Sequence, residues 1–409
     1  MPRRLFCTFV LAFASLNLVE LRAINLEWSK LVRMGRDERL ECVPYTGEGD
    51  RLPDFSYAGY GAGLKEIPAV VTTLTLEPIR GDNHARIQAA LDRLAEQPPD
   101  AQGWRGALLL RRGRYDIGET LRIRASGIVL RGEGDDPAGT VLVATKKQQH
   151  DLIVAGGNGQ WVGVDSTATE IADQYVPVGA QTFTVEHPER LRIGDPVIVR
   201  RASNAAWIRA IGMDHIPPRP DGKPIDQWEP GAMDLMFDRV ILAIEGKRIT
   251  VDAPLTDGFR WKFGGGRVYR YSFPARLRQV GIEQLRLESG FDRTLCGDQT
   301  EGEAKLHNEF FDEAHGWNAI TFTTIEEAWA RNVTSVFFGN ACVFTDRTAK
   351  RVTIQSCSCL DPVSKVEGGR RYAFPIAGQL VLVRDCYVRR ARHAFVLDSR
   401  VPGPNVFLD

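Results

Sequence analysis

The sequence has few of the features that would identify a membrane, nucleic-acid or metal protein. It contains no run of 18 uninterrupted apolar residues, so no membrane span is expected. The 52 Lys and Arg residues balance the 52 Asp and Glu residues, so no overall charge favours nucleic acid or an anionic membrane. No C-x-x-C pair or neighbouring histidine has the spacing of a zinc site. Any acidic ligand must therefore bind to a local patch.

Cysteine is scarce and is not arranged as a disulfide framework. Seven cysteines are present, and six remain if an N-terminal export signal containing Cys7 is removed. An even number in an exported protein would favour disulfides. However, Cys342, Cys357 and Cys386 occupy positions where equivalent repeats carry Ile, Phe or Leu. We therefore expect them to be small buried side chains.

A short apolar pattern, at i, i+2, i+5 and i+7, recurs in the last third of the chain. Steps of two place side chains on one face of a strand, and the step of three marks a bend before the next strand. A second series consists of an Ala followed by two inward apolar residues, at spacings of 22, 32 and 21 residues. The copies of the first pattern are Val280/Ile282/Leu285/Leu287, Val352/Ile354/Cys357/Cys359 and Val381/Val383/Cys386/Val388, with a weaker one at Val333, Ser335 and Phe338. The copies of the second are Ala319-Ile320-x-Phe322, Ala341-Cys342-x-Phe344, Ala373-Phe374-x-Ile376 and Ala394-Phe395-x-Leu397.

Such self-similarity is typical of a solenoid, and strands this short predict an all-β fold, the parallel β-helix. Equivalent residues of successive coils should stack in inward ladders. One ladder should contain Val280, Val352 and Val381, and another should contain Leu285, Cys357 and Cys386. The alternative, a sandwich of hairpins, would need Asn-Gly or Asp-Gly turns between strands, and none separates these.

The N-terminus has the pattern of an export signal. Arg3 and Arg4 precede an apolar segment that runs from Leu5 to Ala14, and cleavage after Ala14 or Ala23 fits the small-residue rule. We therefore expect a secreted or periplasmic protein. The alternative is a buried N-terminal helix.

The remaining chain divides by composition and pattern. An amphipathic segment from Ile87 to Leu94, capped by Asp82 or Asn83, predicts a helix. Trp207, Trp228 and Trp261 lie in a segment that breaks the coil pattern, and they suit either a core or stacking on sugar rings. The predicted parts are a signal peptide (1–23), an irregular segment (24–80), the capping helix with the first coils (81–157), an inserted β-rich module (158–275) and further coils (276–409).

Four short motifs carry a family resemblance. They are Gly81-Asp82-Asn83, Ile87-Gln88-Ala89-Ala90-Leu91-Asp92, Gly113-Arg114-Tyr115 and Leu130-Arg131-Gly132-Glu133-Gly134. Their succession resembles the pectate-lyase-like β-helix superfamily, and within it the rhamnogalacturonase and epimerase-like pectate lyase branch. The resemblance covers about residues 54–145 by motif and 276–409 by coil pattern. It implies a right-handed β-helix closed by the helix, and cleavage of polysaccharides by hydrolysis or β-elimination, often outside the cell.

The longest departure from the minimal coil predicts where a ligand binds. It runs from Leu360 to Tyr372. Aligning the coils on their Ala places Trp317, Gly339, Arg371 and Arg392 in one column and Asn318, Asn340, Tyr372 and His393 in the next. Coils stacked about 4.8 Å apart would span about 14 Å in three steps, near the length of a trisaccharide. The basic residues beside this loop are Lys365, Arg370, Arg371, Arg389, Arg390, Arg392 and His393.

A basic strip of this kind favours an acidic glycan, because a guanidinium group binds a uronate carboxylate bidentately. In β-elimination, fixed cations stabilise the charge that develops when a base removes the proton alpha to the carboxylate. We therefore expect an exported lyase whose partner is an acidic polysaccharide or oligosaccharide. The candidate catalytic residues are His315, His393, Arg371, Tyr372 and Lys365. The candidate substrate-binding residues are Arg370, Arg390, Arg392, Trp317, Asn318 and Asn340.

Two other functions stay open at this point. A hydrolase needs two carboxylates that flank the bond. The Asn-Thr-Asp and Gly-His-Gly motifs of polygalacturonases are absent and the only Asp-Asp pair lies near the N-terminus, but Asp312, Glu313, Glu326 and Glu327 could serve another hydrolase. A non-catalytic glycan-binding β-helix is the third class. No carboxylate cluster has calcium-like spacing, so no cofactor is expected, although the sequence leaves a calcium requirement open.

The end of the sequence predicts an incomplete coil. Val406 and Leu408 would fill the first two inward positions of a further strand, and no polar coil or helix follows to cover them. We therefore expect the chain to be a fragment of a longer protein, with a dimer that covers this end as the alternative.

Overall fold

The computed structural model describes residues 29–36, 40–220, 222 and 224–409. It forms a parallel β-helix with an antiparallel module inserted after the first coils, as the strand pairing described below demonstrates. The export signal expected at residues 1–23 lies outside the described residues. Within the described ranges, no helix is long and apolar enough to cross a membrane.

The segment before the coils lies against the outside of the solenoid. The Gly59 N–H donates to the Leu380 carbonyl at 2.8 Å, and the Tyr60 N–H donates to Thr353 Oγ1 at 2.9 Å. These bonds attach the segment to coils that lie nearly 300 positions later. Its strands are β1 (Val32–Met34), β2 (Leu40–Cys42) and β3 (Thr72–Leu76), of which β1 and β2 pair with each other and β3 pairs in parallel with the first coil.

The helix α1 (His84–Glu96) closes the N-terminal end of the core. Its buried side chains Ile87, Leu91 and Leu94 are spaced by four and three residues, so they form one face that packs into the core of the solenoid. The Asp82 carboxylate accepts a 2.9 Å bond from the His84 N–H, which satisfies a free donor of the first turn.

Each coil contributes one strand to each of three parallel sheets, here called the first, second and third sheets in the order in which the chain meets them. The strands of the leading coils are β4 (Gly106–Leu110), β5 (Gly113–Ile117), β6 (Leu121–Ile123), β7 (Ile128–Gly134), β8 (Thr140–Ala144) and β9 (Ile153–Gly156). Strands three apart in this order pair in parallel: β4 with β7, β5 with β8, and β6 with β9. This pairing is the defining property of a β-helix.

The inserted module is antiparallel and has its own apolar core. It is joined to the coils through a buried charge cluster, in which Asp238 binds Arg276 at 2.6 Å and Lys350 at 2.8 Å. Its elements are β10 (Val162–Gly163), β11 (Thr169–Glu170), β12 (Tyr175–Val176), β13 (Thr182–Thr184), β14 (Pro196–Arg201), α2 (Ala205–Ala210), β15 (Leu235–Glu245), β16 (Arg248–Val251), β17 (Phe259–Arg260) and β18 (Arg267–Ser272).

The coils resume directly after the module. Two long strands, β19 and β23, bend from the first sheet into the second, whereas later coils use a separate strand in each. A hairpin, β20–β21, interrupts the first of these coils. The elements are β19 (Leu277–Ser289), β20 (Cys296–Glu301), β21 (Ala304–Phe310), β22 (Ile320–Thr323), β23 (Ile325–Val336), β24 (Val343–Thr345), β25 (Lys350–Gln355), β26 (Ser358–Leu360), β27 (Tyr372–Ile376), β28 (Leu382–Arg384), β29 (Tyr387–Arg389), β30 (His393–Leu397) and β31 (Val406–Leu408).

The step of three in the apolar pattern corresponds to a left-handed residue at the bend between the first and second sheets. The bend residues are polar: Gln284 (φ 59°), Asn332 (φ 50°), Ser356 (φ 52°) and Asp385 (φ 53°). Short polar side chains, Asn and Asp above all, tolerate this conformation better than branched apolar ones. One residue per coil therefore turns the chain without interrupting the inward ladders on either side.

Both predicted ladders are confirmed. Val280 is in register with Ala328, and Ala328 with Val352, while the pairing of β25 with β28 sets Val381 beside Val352. In the second ladder, Leu285 is in register with Val333. The pairing of β26 with β23 and with β29 places Cys357 and Cys386 next in the same ladder. The cysteines among the described residues form no disulfide, and Cys342 and Cys357 are fully buried, as expected of small core residues.

One coil departs from the predicted alignment by a residue. Phe344 was expected to point inward, but Ile320 is in register with Val343, and Phe322 with Thr345. Val343 and Thr345 therefore face the core and Phe344 faces outward. The prediction was wrong because the turn before β24 holds one more residue than the simple repeat, with Cys342 buried before the strand begins.

Candidate functional site

The chain leaves the coil pattern on both sides of the third sheet. The inserted module departs after β9, a strand of the third sheet, and the hairpin β20–β21 departs just before β22, the next strand of that sheet. The loop of residues 361–371 likewise precedes β27 of the same sheet. Non-repeating segments therefore flank the outward face of the third sheet, which is where a solenoid of this kind can build a specific site.

A ladder of polar side chains runs along the edge of this sheet. Asn318 Nδ2 donates to Asp151 Oδ1 at 3.0 Å, and Asn340 Nδ2 donates to Asn318 Oδ1 at 3.0 Å. Asn340 Oδ1 in turn accepts from the Tyr372 N–H at 3.0 Å. Tyr372 is in register with His393 in the next coil, and their rings lie 4.8 Å apart in an edge-to-face contact. The column predicted from the alignment, Asn318 to His393, is therefore brought together.

The ladder ends at Asp151, a carboxyl group in an unusual setting. Burial raises the pKa of Asp151 above its ordinary value of 3.8. The hydrogen bonds from Thr321 Oγ1, at 2.6 Å, and from Asn318 oppose this change without cancelling it. A carboxyl group that holds its proton to higher pH is suited to act as a general acid.

Asp151 opens onto a cavity of about 650 Å³ between the helix α1 and the third sheet. Arg122 and Arg124 line this cavity, and neither forms an ion pair with any described residue. Glu119 and Lys146, also in the lining, bind each other at 2.7 Å, and the Lys146 ammonium lowers the pKa of Glu119. The cavity thus combines a carboxyl group with a raised pKa, a carboxylate with a lowered pKa and two guanidinium groups that have no ion-pair partner among the described residues.

Two histidines complete the wall of the cavity. His150 Nδ1 lies 2.7 Å from the Gln148 carbonyl, which can only accept, so Nδ1 carries the proton. His150 Nε2 is buried and has no hydrogen-bond partner among the described residues. His84 Nε2 lies 3.3 Å from the Thr120 carbonyl, so by the same argument its lone pair is on Nδ1. Each neutral imidazole has one nitrogen that can accept a proton.

The predicted base His315 does not face this groove. It is 1% exposed, and both ring nitrogens are occupied: Nδ1 by Ser289 Oγ at 2.8 Å and Nε2 by the Val363 carbonyl at 2.8 Å. Burial lowers its pKa, which favours the neutral ring. His315 therefore fastens loops together, and we do not retain it as a candidate base.

Arg371, predicted to bind a substrate carboxylate, already has a carboxylate partner. It is 3% exposed, and its Nη1 binds Glu309 at 2.7 Å while its Nη2 donates to the Ser364 carbonyl at 2.7 Å. A side chain held by these contacts cannot reach a ligand in the groove. We therefore regard Arg371 as a structural residue.

The other arginines of the predicted basic strip are also paired. Arg370 binds Glu313, Arg390 binds Glu309 and Arg392 binds Glu301, the last two at 2.7 and 2.6 Å. Their partners come from the hairpin β20–β21 and the residues just after it. The strip exists, but its positive charge is neutralised within the chain, which the spacing of the arginines alone did not reveal.

The remaining predicted residues lie near the strip. Lys365 is exposed, and its backbone N–H is 3.4 Å from Glu313. Trp317 is half-buried, and its ring lies so close to Gly339 that a Cβ there would be 2.5 Å from it. Trp317 thus packs on the backbone of the next coil, and only Lys365, Tyr372 and His393 keep groups available to a ligand.

The carboxylates considered for a hydrolase bind elsewhere. Glu326 binds Arg278 at 2.5 Å and Glu327 accepts from the Gly61 N–H at 2.6 Å, both on the first sheet. Asp312 accepts from backbone N–H groups, at 2.8 Å from that of Asp292. None of these groups lines the cavity at Asp151. Among the residues that the structure describes, no group of three or more His, Cys, Asp and Glu side chains is placed to hold a metal ion.

The sequence analysis did not identify Asp151 and its neighbours, although a signal was present. Ile153 is in register with Ile320, so Asp151 occupies the same column as Asn318. Extending the predicted Asn column across the inserted module would have placed a carboxyl group at its end. The unpaired state of Arg122 and Arg124 has no comparable signal, because it depends on which acidic groups fold next to them.

Comparisons with known proteins give limited matches. No family model and no curated protein matches the chain, so membership in the pectate-lyase-like superfamily stays a prediction. Among solved structures, the chain is similar to the tailspike protein gp49 of Pseudomonas phage LKA1, with 13% identity, a TM-score of 0.37, and coverage of 74% of this chain and 43% of that one. A pectin methylesterase in complex with a hexasaccharide matches with 11% identity, a TM-score of 0.26, and coverage of 79% and 68%.

A third similar structure is the Gp54 tailspike of Acinetobacter baumannii bacteriophage AP22 in complex with capsular saccharide. It matches with 8% identity, a TM-score of 0.28, and coverage of 75% of this chain and 49% of that one. The chain therefore spans less than half the length of either tailspike. The strand pairing described above, and not these matches, establishes the β-helix.

Proposed function

We propose that this protein cleaves an acidic polysaccharide by β-elimination in the cavity at Asp151. The observation that carries the proposal is the combination, in one cavity, of a carboxyl group with a raised pKa and two arginines that form no ion pair with any described residue. The guanidinium groups suit a uronate carboxylate, and the protonated carboxyl group suits the glycosidic oxygen that must leave. The family resemblance of the N-terminal motifs supports the same class of substrate.

The reaction assigns a separate task to each group. Arg122 and Arg124 bind the uronate carboxylate and stabilise the negative charge that develops on it. A neutral imidazole, His84 or His150, removes the proton alpha to that carboxylate. The bond between the beta carbon and the glycosidic oxygen then breaks, a carbon–carbon double bond forms, and Asp151 gives its proton to the leaving oxygen.

The two imidazoles differ in how they could take part. His84 has its lone pair on Nδ1 and needs no change of partner. His150 has an unpaired but buried Nε2, so its ring must turn toward the cavity before it can act. We therefore propose His84 as the first candidate base and His150 as the second. Tyr372 and His393 lie along the same ladder, and Lys365 is exposed in the loop before Tyr372; we propose that these three residues contact more distant sugar units.

Hydrolysis is the second candidate function, because the cavity holds two carboxyl groups of different character. Asp151 would again be the acid, and Glu119, kept ionised by Lys146, would activate water. A raised and a lowered pKa in one site are the combination that glycoside hydrolysis requires. In hydrolysis Arg122 and Arg124 would only bind the substrate, whereas in elimination they would also stabilise the charge that develops on its carboxylate, and for that reason we place elimination first.

Activity on a panel of uronic-acid glycans separates these functions. New ultraviolet absorbance from a double bond indicates elimination, and new reducing ends without that absorbance indicate hydrolysis. Binding with neither product would make the protein a glycan-binding β-helix. On a confirmed substrate, Asp151→Asn and either His84→Ala or His150→Ala should each lower kcat about 10² to 10⁴-fold. Unchanged rates for all three variants would contradict the site.

A binding control tests the role of the arginines. The double variant Arg122→Gln/Arg124→Gln should lower kcat and raise KM for an acidic glycan, whereas Arg384→Gln removes a cation from the first sheet and should leave both unchanged. We also propose export to a secreted or periplasmic location, because the polymer is extracellular and residues 3–14 have the pattern of a signal. The N-terminal residue of the mature protein tests this.

A further inference from the structure

The hairpin β20–β21 and Glu313, three residues after it, provide the carboxylates that neutralise the basic strip of Arg370, Arg390 and Arg392. Glu301 ends β20, and Glu309 lies near the end of β21. Glu301 binds Arg392 at 2.6 Å and Glu309 binds Arg390 at 2.7 Å. Each of these pairs joins a residue of the hairpin to a coil that follows about 80 to 90 positions later. The hairpin therefore occupies the strip as a carboxylate-bearing ligand would.

One aromatic contact holds the base of the hairpin, where the ring of Phe310 meets the ring of Phe291 edge to face at 5.1 Å. Along both strands most side chains are exposed or half-buried, and Glu309 is the one described residue of either strand that is buried. The other contacts are polar, such as the 2.8 Å bond from the Val366 N–H to Gln299 Oε1. Gln299 Nε2 is buried without a partner among the described residues. Partly exposed ion pairs are weak and exchange readily with other anions.

The covered strip continues the groove in which we place the substrate. The ladder that begins at Asp151 runs through Asn318 and Asn340 to Tyr372. Arg392 Nη1 lies 3.5 Å from the Tyr372 hydroxyl, so the strip adjoins the far end of that ladder. A polymer bound at Asp151 and extending along the coils, which are spaced about 4.8 Å apart, would reach these arginines within a few sugar units.

We propose that the hairpin β20–β21 is a displaceable cover over a second binding site for acidic glycan, formed by Arg370, Arg390 and Arg392. Uronate carboxylates of the polymer replace the carboxylates of Glu301 at Arg392 and of Glu313 at Arg370, and the displaced side chains become hydrated. Glu309 stays bound to the buried Arg371, and the polymer contacts Arg390 on its exposed side. No covalent bond changes in this exchange. The inference rests on the proposed function, because it extends the groove of the same substrate. It adds that acidic glycan, unlike neutral glycan, opens the hairpin.

Hydrogen exchange of residues 296–310 tests the cover directly. The measurement uses the Asp151→Asn protein, so that substrate is not consumed, with an oligogalacturonate as the acidic probe and a cello-oligosaccharide of equal length as the neutral one. We expect the acidic probe to speed exchange of the hairpin amides several-fold and the neutral probe to leave it unchanged. Faster exchange with both probes, or with neither, would overturn the proposal.

Affinity measurements on variants give an independent result. In the same background, Glu301→Gln removes a competing carboxylate and should tighten binding of the oligogalacturonate several-fold, and adding Arg392→Gln should abolish that gain. Asp298→Asn is the matched control, because Asp298 is on the hairpin but binds His307 at 2.9 Å within it. If Glu301→Gln leaves the affinity for the oligogalacturonate unchanged, the hairpin is not a displaceable cover, whereas the proposed site at Asp151 is unaffected by that result. No binding of the acidic probe to any variant would overturn both this inference and the proposed substrate class.

Discussion

The side-chain amide of Asn318 donates a 3.0 Å hydrogen bond to the carboxyl group of Asp151, a residue 167 positions away in the sequence. The inserted module lies between them, yet the two residues belong to adjacent coils, since β9 and β22 pair in parallel. The candidate site is therefore formed by coil stacking across the insertion. Its acid is positioned by the same ladder of amides that leads to Tyr372 and His393.

The stability of the protein should report the raised pKa of Asp151. Because the folded state holds this proton to a higher pH than the unfolded chain, the free energy of unfolding falls as the pH rises from about 4 through the folded pKa. In the Asp151→Asn variant the side chain at this position cannot ionise, so this fall in the free energy of unfolding should be absent. We expect the variant to have a higher melting temperature than the wild type at pH 7 and an equal one at pH 3, measured by calorimetry. If the difference in melting temperature between the variant and the wild type stays the same from pH 3 to pH 7, the pKa of Asp151 is not raised.

The hydroxyl group of Thr321 should tune the pH dependence of activity. Its 2.6 Å bond favours the ionised form of Asp151, so Thr321→Val should raise the pKa of Asp151 further. An enzyme that needs Asp151 protonated loses activity as the pH rises through that pKa. The falling limb of the rate profile should therefore shift to higher pH in the variant. Thr353→Val, on the first sheet, is the control and should leave the profile unchanged.

The buried charge cluster that joins the module to the coils should be sensitive to the loss of one cation. Although burial alone would raise the pKa of Asp238, Lys350 and Arg276 hold it well below its usual range. Lys350→Met keeps the apolar stem but leaves part of this buried carboxylate uncompensated. We expect the free energy of unfolding to fall by about 3 to 5 kcal/mol at neutral pH, measured by urea titration.

The control for this variant is Lys365→Met, at an exposed lysine, which should change the free energy of unfolding by less than about 0.5 kcal/mol. As the pH falls from the ordinary pKa of an aspartate toward the lowered pKa of folded Asp238, the unfolded chain takes up the proton first, so the stability that the cluster contributes is progressively lost. The difference between Lys350→Met and wild type should therefore shrink in acid. Equal stability of the two lysine variants at neutral pH would show that the cluster contributes little.

The coil pattern could be predicted from the sequence because it depends on residues within one coil. Val280 and Val352 occupy inward positions in their own coils, and parallel stacking brings equivalent positions together without further information. The partners of charged side chains could not be predicted in this way. Arg392 and Glu301 are 91 positions apart, and their pairing depends on where a hairpin folds back. The sequence therefore predicted that these arginines lie together in a strip, but it could not reveal that carboxylates of the same chain already bind them.

Phe344 illustrates a second limit of the prediction. One extra residue in a turn shifts the register of a strand by one, and a shift of one reverses which face each side chain occupies. The apolar character of Phe344 gave no warning, since an exposed aromatic residue and a buried one look alike in sequence. Asp151, in contrast, could have been found from the register of Ile153 with Ile320.

The contact between Gly281 and Trp329 provides a test of how the N-terminal segment is held on the first sheet. Trp329 is fully buried, its indole N–H donates to Glu283 at 3.0 Å, and its ring meets the ring of Tyr60 at 5.2 Å. A Cβ at Gly281 would lie 2.3 Å from the indole, which has no free space to move into. Gly281→Ala should therefore displace Trp329 and, with it, the loop at Tyr60.

We expect Gly281→Ala to lower the free energy of unfolding by about 1 to 3 kcal/mol, the usual cost of overpacking. Gly281 does not have a positive φ, so this effect is steric and not conformational. Gly369→Ala is the matched control, because no atom lies within 4 Å of its added Cβ. Limited proteolysis should also cut residues 55–67 faster in Gly281→Ala than in the control. Equal stability and equal cleavage in the two variants would mean that Trp329 does not hold the N-terminal segment against the coils.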